Sequence, residues 1–225
     1  MTTYGFLAIW CDMAEEHLVD YRNWLTLEHI ADRTFSPGFL GVRLFEKLDE
    51  PNSHFILYAT ENPDVLDGTA YKAILDNLSD WTRRLMPKFK NFDPALGNQV
   101  IKVGNGFGSY VAIWRLWLSD SAVDLDSLAA RLSAIIAKNG VVSMRFNALN
   151  HTTTDRHSEE KTMRGGTEGS FHYLLCAEAM GEAQVRDFEV LLTEELPSLF
   201  SAIRHFDSSC QRMIYGEAAH EGPTA

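Results

Sequence analysis

The chain reads as an α+β protein made of two copies of one βαββαβ unit. Three observations predict this: short strings that recur roughly a hundred positions later, the same order of strand and helix signals in both halves, and a composition able to fill a substantial core. Of its 225 residues, 45% are hydrophobic and 23% charged, the balance of a folded chain of one large or two small domains.

The recurring strings keep their order. FLAIW (Phe6 to Trp10) returns as YVAIW (Tyr110 to Trp114), 104 residues later. GFLGVRLF (Gly38 to Phe45) returns as GVVSMRFN (Gly140 to Asn147), 102 later. HFILYATE (from His54) lines up with FHYLLCAE (from Phe171), and NFD at Asn91 with HFD at His205. Four weak matches in one order point to duplication.

In the first half, alternation predicts a strand near 4–12, followed by a helix over about 14–34. Pro37-Gly38 stops that helix and turns the chain. Strands follow near 39–47 and 54–61, joined through the turn residues Asp49 to Asn52. Asn62-Pro63 then starts a second helix, Asn as its cap and Pro at its first position. Ile74, Leu78, Trp81 and Leu85 form one apolar stripe along it. A strand near 99–103 completes the unit.

The second half repeats the pattern: strand 109–118, helix 124–139, strands 141–149 and 170–178, helix 182–203, strand 210–215. Taken twice, βαββαβ is the ferredoxin-like plan. Such a sheet carries helices on one face, so two repeats packed sheet to sheet would cover each other as an intramolecular barrel or sandwich. The expected domains are 1–104, 105–217 with an inserted loop at 150–169, and a disordered tail at 218–225. VGNGFGSY (Val103 to Tyr110) has neither the spacing nor the strand-to-helix context of a dinucleotide loop, and reads as a linker between repeats.

Charge and cysteines narrow the partners. With 20 basic and 31 acidic side chains the net charge is −11, which repels a phosphate backbone and argues against nucleic acid. The N-terminus lacks the charged start and long apolar core of a signal peptide, and no apolar run approaches the roughly 20 residues of a membrane span. Cys11, Cys176 and Cys210 are scattered, without metal or redox spacing, as in a reduced cytoplasm.

Alternation also sorts candidate site residues by sheet face. It predicts Trp10, Phe39, Arg43 and, on the third strand, His54 and Tyr58 on the face turned away from the helices. Their second-half counterparts are Trp114, Arg145 and Tyr173. An aromatic space with two arginines suits a small anionic or polar aromatic ligand; arginines that escape to a rim would make ordinary salt bridges instead.

The first helix carries the sharper signal, WLTLEHIADR (Trp24 to Arg33). His29 shares the inward stripe with Leu18 and Leu25, Glu28 the flank of Tyr21 and Trp24, and Arg33 follows His29 by one turn. A second histidine for a zinc HExxH box is missing. The corresponding helix of the second half, DLDSLAARLSAIIAKNG, has no histidine, glutamate or tryptophan. A polar set absent from one copy is not demanded by the fold, so the first half is the expected site and the second its scaffold. The second half instead has the long polar segment from Asn150 to Gly169, with His151, Arg156, His157 and Arg164. Such segments serve as lids or binding elements, or are simply flexible.

The helix motif W-x3-EH, the PGF that follows and the arginine-bearing strand resemble the dimeric α+β barrel superfamily, especially its EthD-like branch, most clearly over residues 4–103. Its members are typically dimers of one-repeat chains, which this chain is similar to in fused form; further homodimerisation is left open. They include cofactor-independent isomerases, lyases and dehydratases, cofactor-free monooxygenases and haem-binding enzymes. The resemblance implies a cofactor-independent lyase, isomerase or dehydratase of a small aromatic or lactone-like catabolite. His29 would be the general acid/base, Glu28 its partner, and Tyr58 and His54 further catalytic candidates. Trp10, Trp24, Arg33, Arg43, Trp114, Arg145 and Tyr173 would bind the substrate. A cofactor-free monooxygenase and a non-enzymatic binding protein are the alternatives.

Overall fold

The computed structural model describes residues 4–120, 122–154, 162 and 169–219. Arg156, His157 and Arg164, most of the 150–169 segment and the end of the tail from 220 lie outside them. The chain falls into two compact units: Met1–Asn98 with Asn150–Gly169 and Ile214–Ala225, and Gln99–Leu149 with Ser170–Met213.

In the first half the order is β1 (Gly5–Asp12), a continuous helical stretch, β2 (Phe39–Lys47), β3 (Glu50–Thr60), helices α3 (Thr69–Asp76) and α4 (Asp80–Leu85), and β4 (Lys90–Gly104). The helical stretch comprises a 3-10 turn (Glu15–His17), α1 (Leu18–Trp24), a π turn (Leu25–His29) and α2 (Ile30–Thr34). The second half has β5 (Tyr110–Leu118), α5 (Leu125–Asn139), β6 (Ser143–Leu149), the short α6 (His151–Thr154), β7 (Tyr173–Ala179), α7 (Glu182–Leu199) and β8 (Ile203–Ala218). The βαββαβ order is therefore present twice, in an α+β fold with antiparallel pairing. No helix among the described residues is long and apolar enough to cross a membrane.

The first unit's sheet runs β4–β1–β3–β2, with the residues of β8 from Ile214 onward beside β2. Register shows which side chains share a face, because cross-strand partners point the same way. Cys11 faces His54, Leu44 faces Ile56 and Val42 faces Tyr58. These residues meet Tyr21, Trp24, Leu25 and Ile30 of the helical stretch in one buried core. The opposite face pairs Trp10 and Phe45 with Phe55, and Arg43 with Leu57.

The structure thus corrects the expected faces. His54 and Tyr58 lie under the helices, not beside Arg43. Phe39 joins them because β2 is irregular between Phe39 and Gly41, which shifts its side by one residue. Gly41 has φ 150°, and a Cβ there would stand 2.6 Å from the Glu217 carbonyl oxygen, so the backbones of β2 and β8 can close up only at glycine.

The second helix of the first half differs too. Asn62 does cap it, accepting from the Asp64 N–H, but the turn it caps is 3-10 (Pro63–Asp67). The helix then breaks at Asn77, and Ser79 caps a separate α4 by accepting from Thr82 N–H. Tyr71, Thr82 and Leu85 are buried there, whereas Ile74 is not.

In the second unit the order is β6–β7–β5–β8, with the residues of β4 from Gln99 onward beside β6. Trp114, Leu116, Leu175 and Phe146 share the face that meets α7, where Trp114 Nε1 donates to Thr193 Oγ1 at 2.9 Å. Trp114 therefore faces a helix while Trp10 faces away from one, although both close an AIW string. The string match is out of phase with the pleat, and sequence rhyme alone could not reveal that.

Candidate functional site

The motif of the first helix falls on a π turn, whose hydrogen bonds skip one residue more than those of an α-helix. Residues five apart then lie over one another. The Trp24 and His29 rings meet with centroids 4.1 Å apart, and both side chains are buried. Below the turn the helix returns to α geometry, which brings Arg33 back beneath His29. Arg33 Nη1 lies 3.1 Å from both His29 Nδ1 and the His29 carbonyl oxygen.

Aromatic rings wall this pair. The Arg33 guanidinium carbon lies 5.8 Å from the Tyr58 ring centre and 5.9 Å from that of Tyr71. Phe39 packs edge-on against Tyr58 at 5.9 Å. His29 is 5% exposed and Arg33 2%, so the pair lies in a low-dielectric interior. Burial, reinforced by the charge of Arg33, holds the His29 pKa well below the usual imidazole range. At neutral pH the ring is uncharged. Among the described residues its Nε2 has no hydrogen-bond partner.

Glu28 does something other than orient His29. Its Oε1 accepts from Trp24 Nε1 at 3.1 Å, from Thr82 Oγ1 at 3.0 Å and from Ser79 Oγ. Trp24 Nε1 also donates to Thr82 Oγ1 at 3.0 Å. The carboxylate braces the π turn against the N-terminus of α4. That fixes Trp24, and through Trp24 the ring it touches on His29.

His54 is also buried, 5.0 Å from Tyr21 in an edge contact, and Tyr21 in turn meets Trp24 at 6.2 Å. Burial, then the charge of Arg22, lowers its pKa to about 4. Opposite it, Cys11 Sγ lies 3.3 Å from the Tyr21 hydroxyl, and burial raises its thiol to about 12, so it stays protonated.

The remaining candidates are placed elsewhere. Trp10 packs on Phe55 at 4.9 Å, and Arg43 lies 5.5 Å from the Phe45 ring centre, both on the face away from the helices. In the second unit Trp114 and Tyr173 face the helices, Tyr173 stacked 4.6 Å from Phe146. Arg145 is on the opposite face, in a buried ion pair with Glu178. Arg145 also donates to Ser143 Oγ at 3.1 Å and stacks 4.8 Å over Phe107, while Glu178 accepts from Gly108 N–H at 2.8 Å. That network pins the glycine junction and engages the guanidinium of Arg145, expected as a ligand anchor, in a buried ion pair.

Of the residues expected from sequence, His29, Trp24, Arg33 and Tyr58 come together; Glu28 acts from behind and His54 connects through Tyr21. Sequence reasoning missed Tyr71, Ser79 and Thr82. The cap signal Ser79-x-x-Thr82 was legible, but nothing in composition announces a π turn. A separate cavity of about 190 Å³ in the second unit is lined by Leu118, Val123, Asp124, Arg131 and Phe200, among others.

No family model matches the chain, and no curated protein matches it in sequence. Solved structures of similar fold do exist. An anthrone oxidase-like protein matches with a TM-score of 0.65 at 9% identity, over 98% of this chain and 95% of that one. A putative monooxygenase from Fusobacterium nucleatum matches with a TM-score of 0.59 at 8% identity, over 96% and 95%. A mutant chlorite dismutase from Candidatus Nitrospira defluvii matches with a TM-score of 0.55 at 12% identity, over 95% and 91%. At these identities the likeness bears on the fold, an α+β chain of the ferredoxin-like, dimeric α+β barrel type.

Proposed function

We propose that the chain is an enzyme acting on a small aromatic or enolisable molecule, with the His29 imidazole at the reacting centre. The observation that carries this reading is the buried His29, in tilted ring contact with Trp24 and backed by the Arg33 guanidinium, on a π turn where the corresponding helix α5 is α-helical throughout. π turns are found often at functional sites, and a strongly perturbed titratable group beside a specific charge is a functional candidate.

Two reaction classes are open to such a site. One is cofactor-independent lyase, isomerase or dehydratase chemistry, in which protons move within the substrate. The other is cofactor-free oxygenation, in which an ionised substrate gives electrons to molecular oxygen. The names of two similar structures, an anthrone oxidase-like protein and a putative monooxygenase, favour the second as strongly as the site's proton chemistry favours the first.

Anthrone separates them as a probe because it enolises readily. Oxygenation converts one anthrone and one O₂ into one anthraquinone and one water. Oxygen uptake matching anthraquinone formation would support oxygenation. Turnover of enolisable ketones or lactones without oxygen uptake would support the lyase or isomerase class. Turnover equal to wild type in a folded His29→Phe variant would refute both.

A further inference from the structure

We infer that the site binds its substrate as an oxygen anion, a phenolate or enolate, against the Nε2–H of His29, and that Arg33 is the positioning residue that fixes this tautomer. The inference rests on the site proposed above and states which chemistry it performs.

A guanidinium has five N–H donors, accepts nothing, and does not lose its proton in proteins. At 3.1 Å from Arg33 Nη1, the His29 Nδ1 must therefore offer a lone pair. A neutral imidazole that accepts at Nδ1 carries its proton at Nε2. Arg33 cannot swing away freely, since the same Nη1 also donates to the His29 carbonyl oxygen at 3.1 Å and the side chain is buried between Tyr58 and Tyr71.

Two consequences follow. His29 cannot act as a base in this state: Nε2 already holds a proton and Nδ1 faces a cation. Instead it presents a fixed N–H, polarised by the positive charge behind the ring. Among the described residues that N–H has no acceptor, although the residue is only 5% exposed. Nε2 is not among the buried side-chain atoms left without a partner, so this edge of the ring is open to an incoming group, and an anionic oxygen accepts from it more strongly than a neutral one. The donor is held by the Trp24 ring contact and by the helix, so it needs no reorganisation when charge develops, as in an oxyanion hole.

The substrate class follows from the missing base. A molecule that meets a donor rather than a base must supply its own acidity, as phenols and enols that ionise near neutrality do. Trp24, whose ring centroid lies 4.1 Å from that of His29, gives the donor an aromatic neighbour suited to a flat ring carrying that oxygen.

Nitrogen-15 NMR of the wild-type protein reads the tautomer directly. A protonated Nε2 and a pyridine-like Nδ1 at His29 are expected, and a protonated Nδ1 or an imidazolium at neutral pH would overturn the inference. 4-Nitrophenol, whose two forms differ in colour, is the ligand probe. Binding should favour the phenolate and lower the bound probe's pKa, with the Nε2 signal shifting on addition. In Arg33→Met, or in Arg33→Gln (whose amide can donate or accept) if the first variant fails to fold, the two tautomers should mix and the preference for phenolate should shrink. A correct tautomer with no response to the probe would overturn the anion assignment and leave water as the partner of Nε2–H. None of these readouts requires turnover, so a failure here is distinguishable from failure of the enzymatic reading.

Discussion

Trp24 and His29 are five residues apart, with ring centroids 4.1 Å apart and planes tilted by 42°, although residues five apart in an unbroken α-helix lie well around the cylinder from each other. The extra residue of the π turn creates this contact. Leu27, in that turn, is 72% exposed. Deleting Leu27 should restore an α-helical path, swing His29 off Trp24 and reduce turnover by about 100-fold or more while circular dichroism stays native-like. Unchanged turnover in the deletion variant would mean the π turn is incidental.

Glu28 is a brace, so its loss should appear in stability. Glu28→Ala leaves the Trp24 indole N–H and the Ser79 and Thr82 hydroxyls with one acceptor fewer. Chemical denaturation should register a loss of about 1–3 kcal/mol, with turnover per folded molecule within a few-fold of wild type. A turnover collapse at unchanged stability would return Glu28 to the chemistry.

Acid should destabilise the first unit through its buried histidines. His54 titrates at about 4 in the folded chain against about 6.5 unfolded. Between those values the unfolded state binds the proton and the folded state does not. Stability is therefore full above about pH 6.5 and falls as pH drops towards 4, by roughly 3 kcal/mol from this group. His29 adds to the loss in the same direction. His54→Phe should flatten the melting-temperature profile over this range, and an unaltered slope would contradict the assignment.

The buried Arg145–Glu178 pair makes a different prediction. Removing one partner strands the other charge, so Arg145→Met alone should cost about 3–5 kcal/mol. The double variant with Glu178→Gln should recover much of that, and ligand affinity per folded molecule should not change. Weaker ligand binding at full stability would restore Arg145 as an anchor.

The fold was legible where periodicity governs it. Strand β2 and helix α5 fall where the sequence pattern puts them, because a half-buried strand and an amphipathic helix leave their period in the sequence. Their faces were less legible. One irregularity at Gly41 moved Phe39 across the sheet, and the AIW strings matched in letters but not in pleat. His29 stood out because its repeat partner lacked it. Its environment did not, since a π turn depends on how the helix packs and leaves no pattern in one helix read alone.

The central claim is that chemistry runs through His29. The direct measurement is a turnover screen of phenols and enolisable ketones, anthrone first, comparing wild type with His29→Phe at matched folded concentration and with dissolved oxygen recorded. The account predicts that any compound turned over by wild type loses at least about 100-fold in the variant, whose fold is retained by circular dichroism. Undiminished turnover in folded His29→Phe would contradict it.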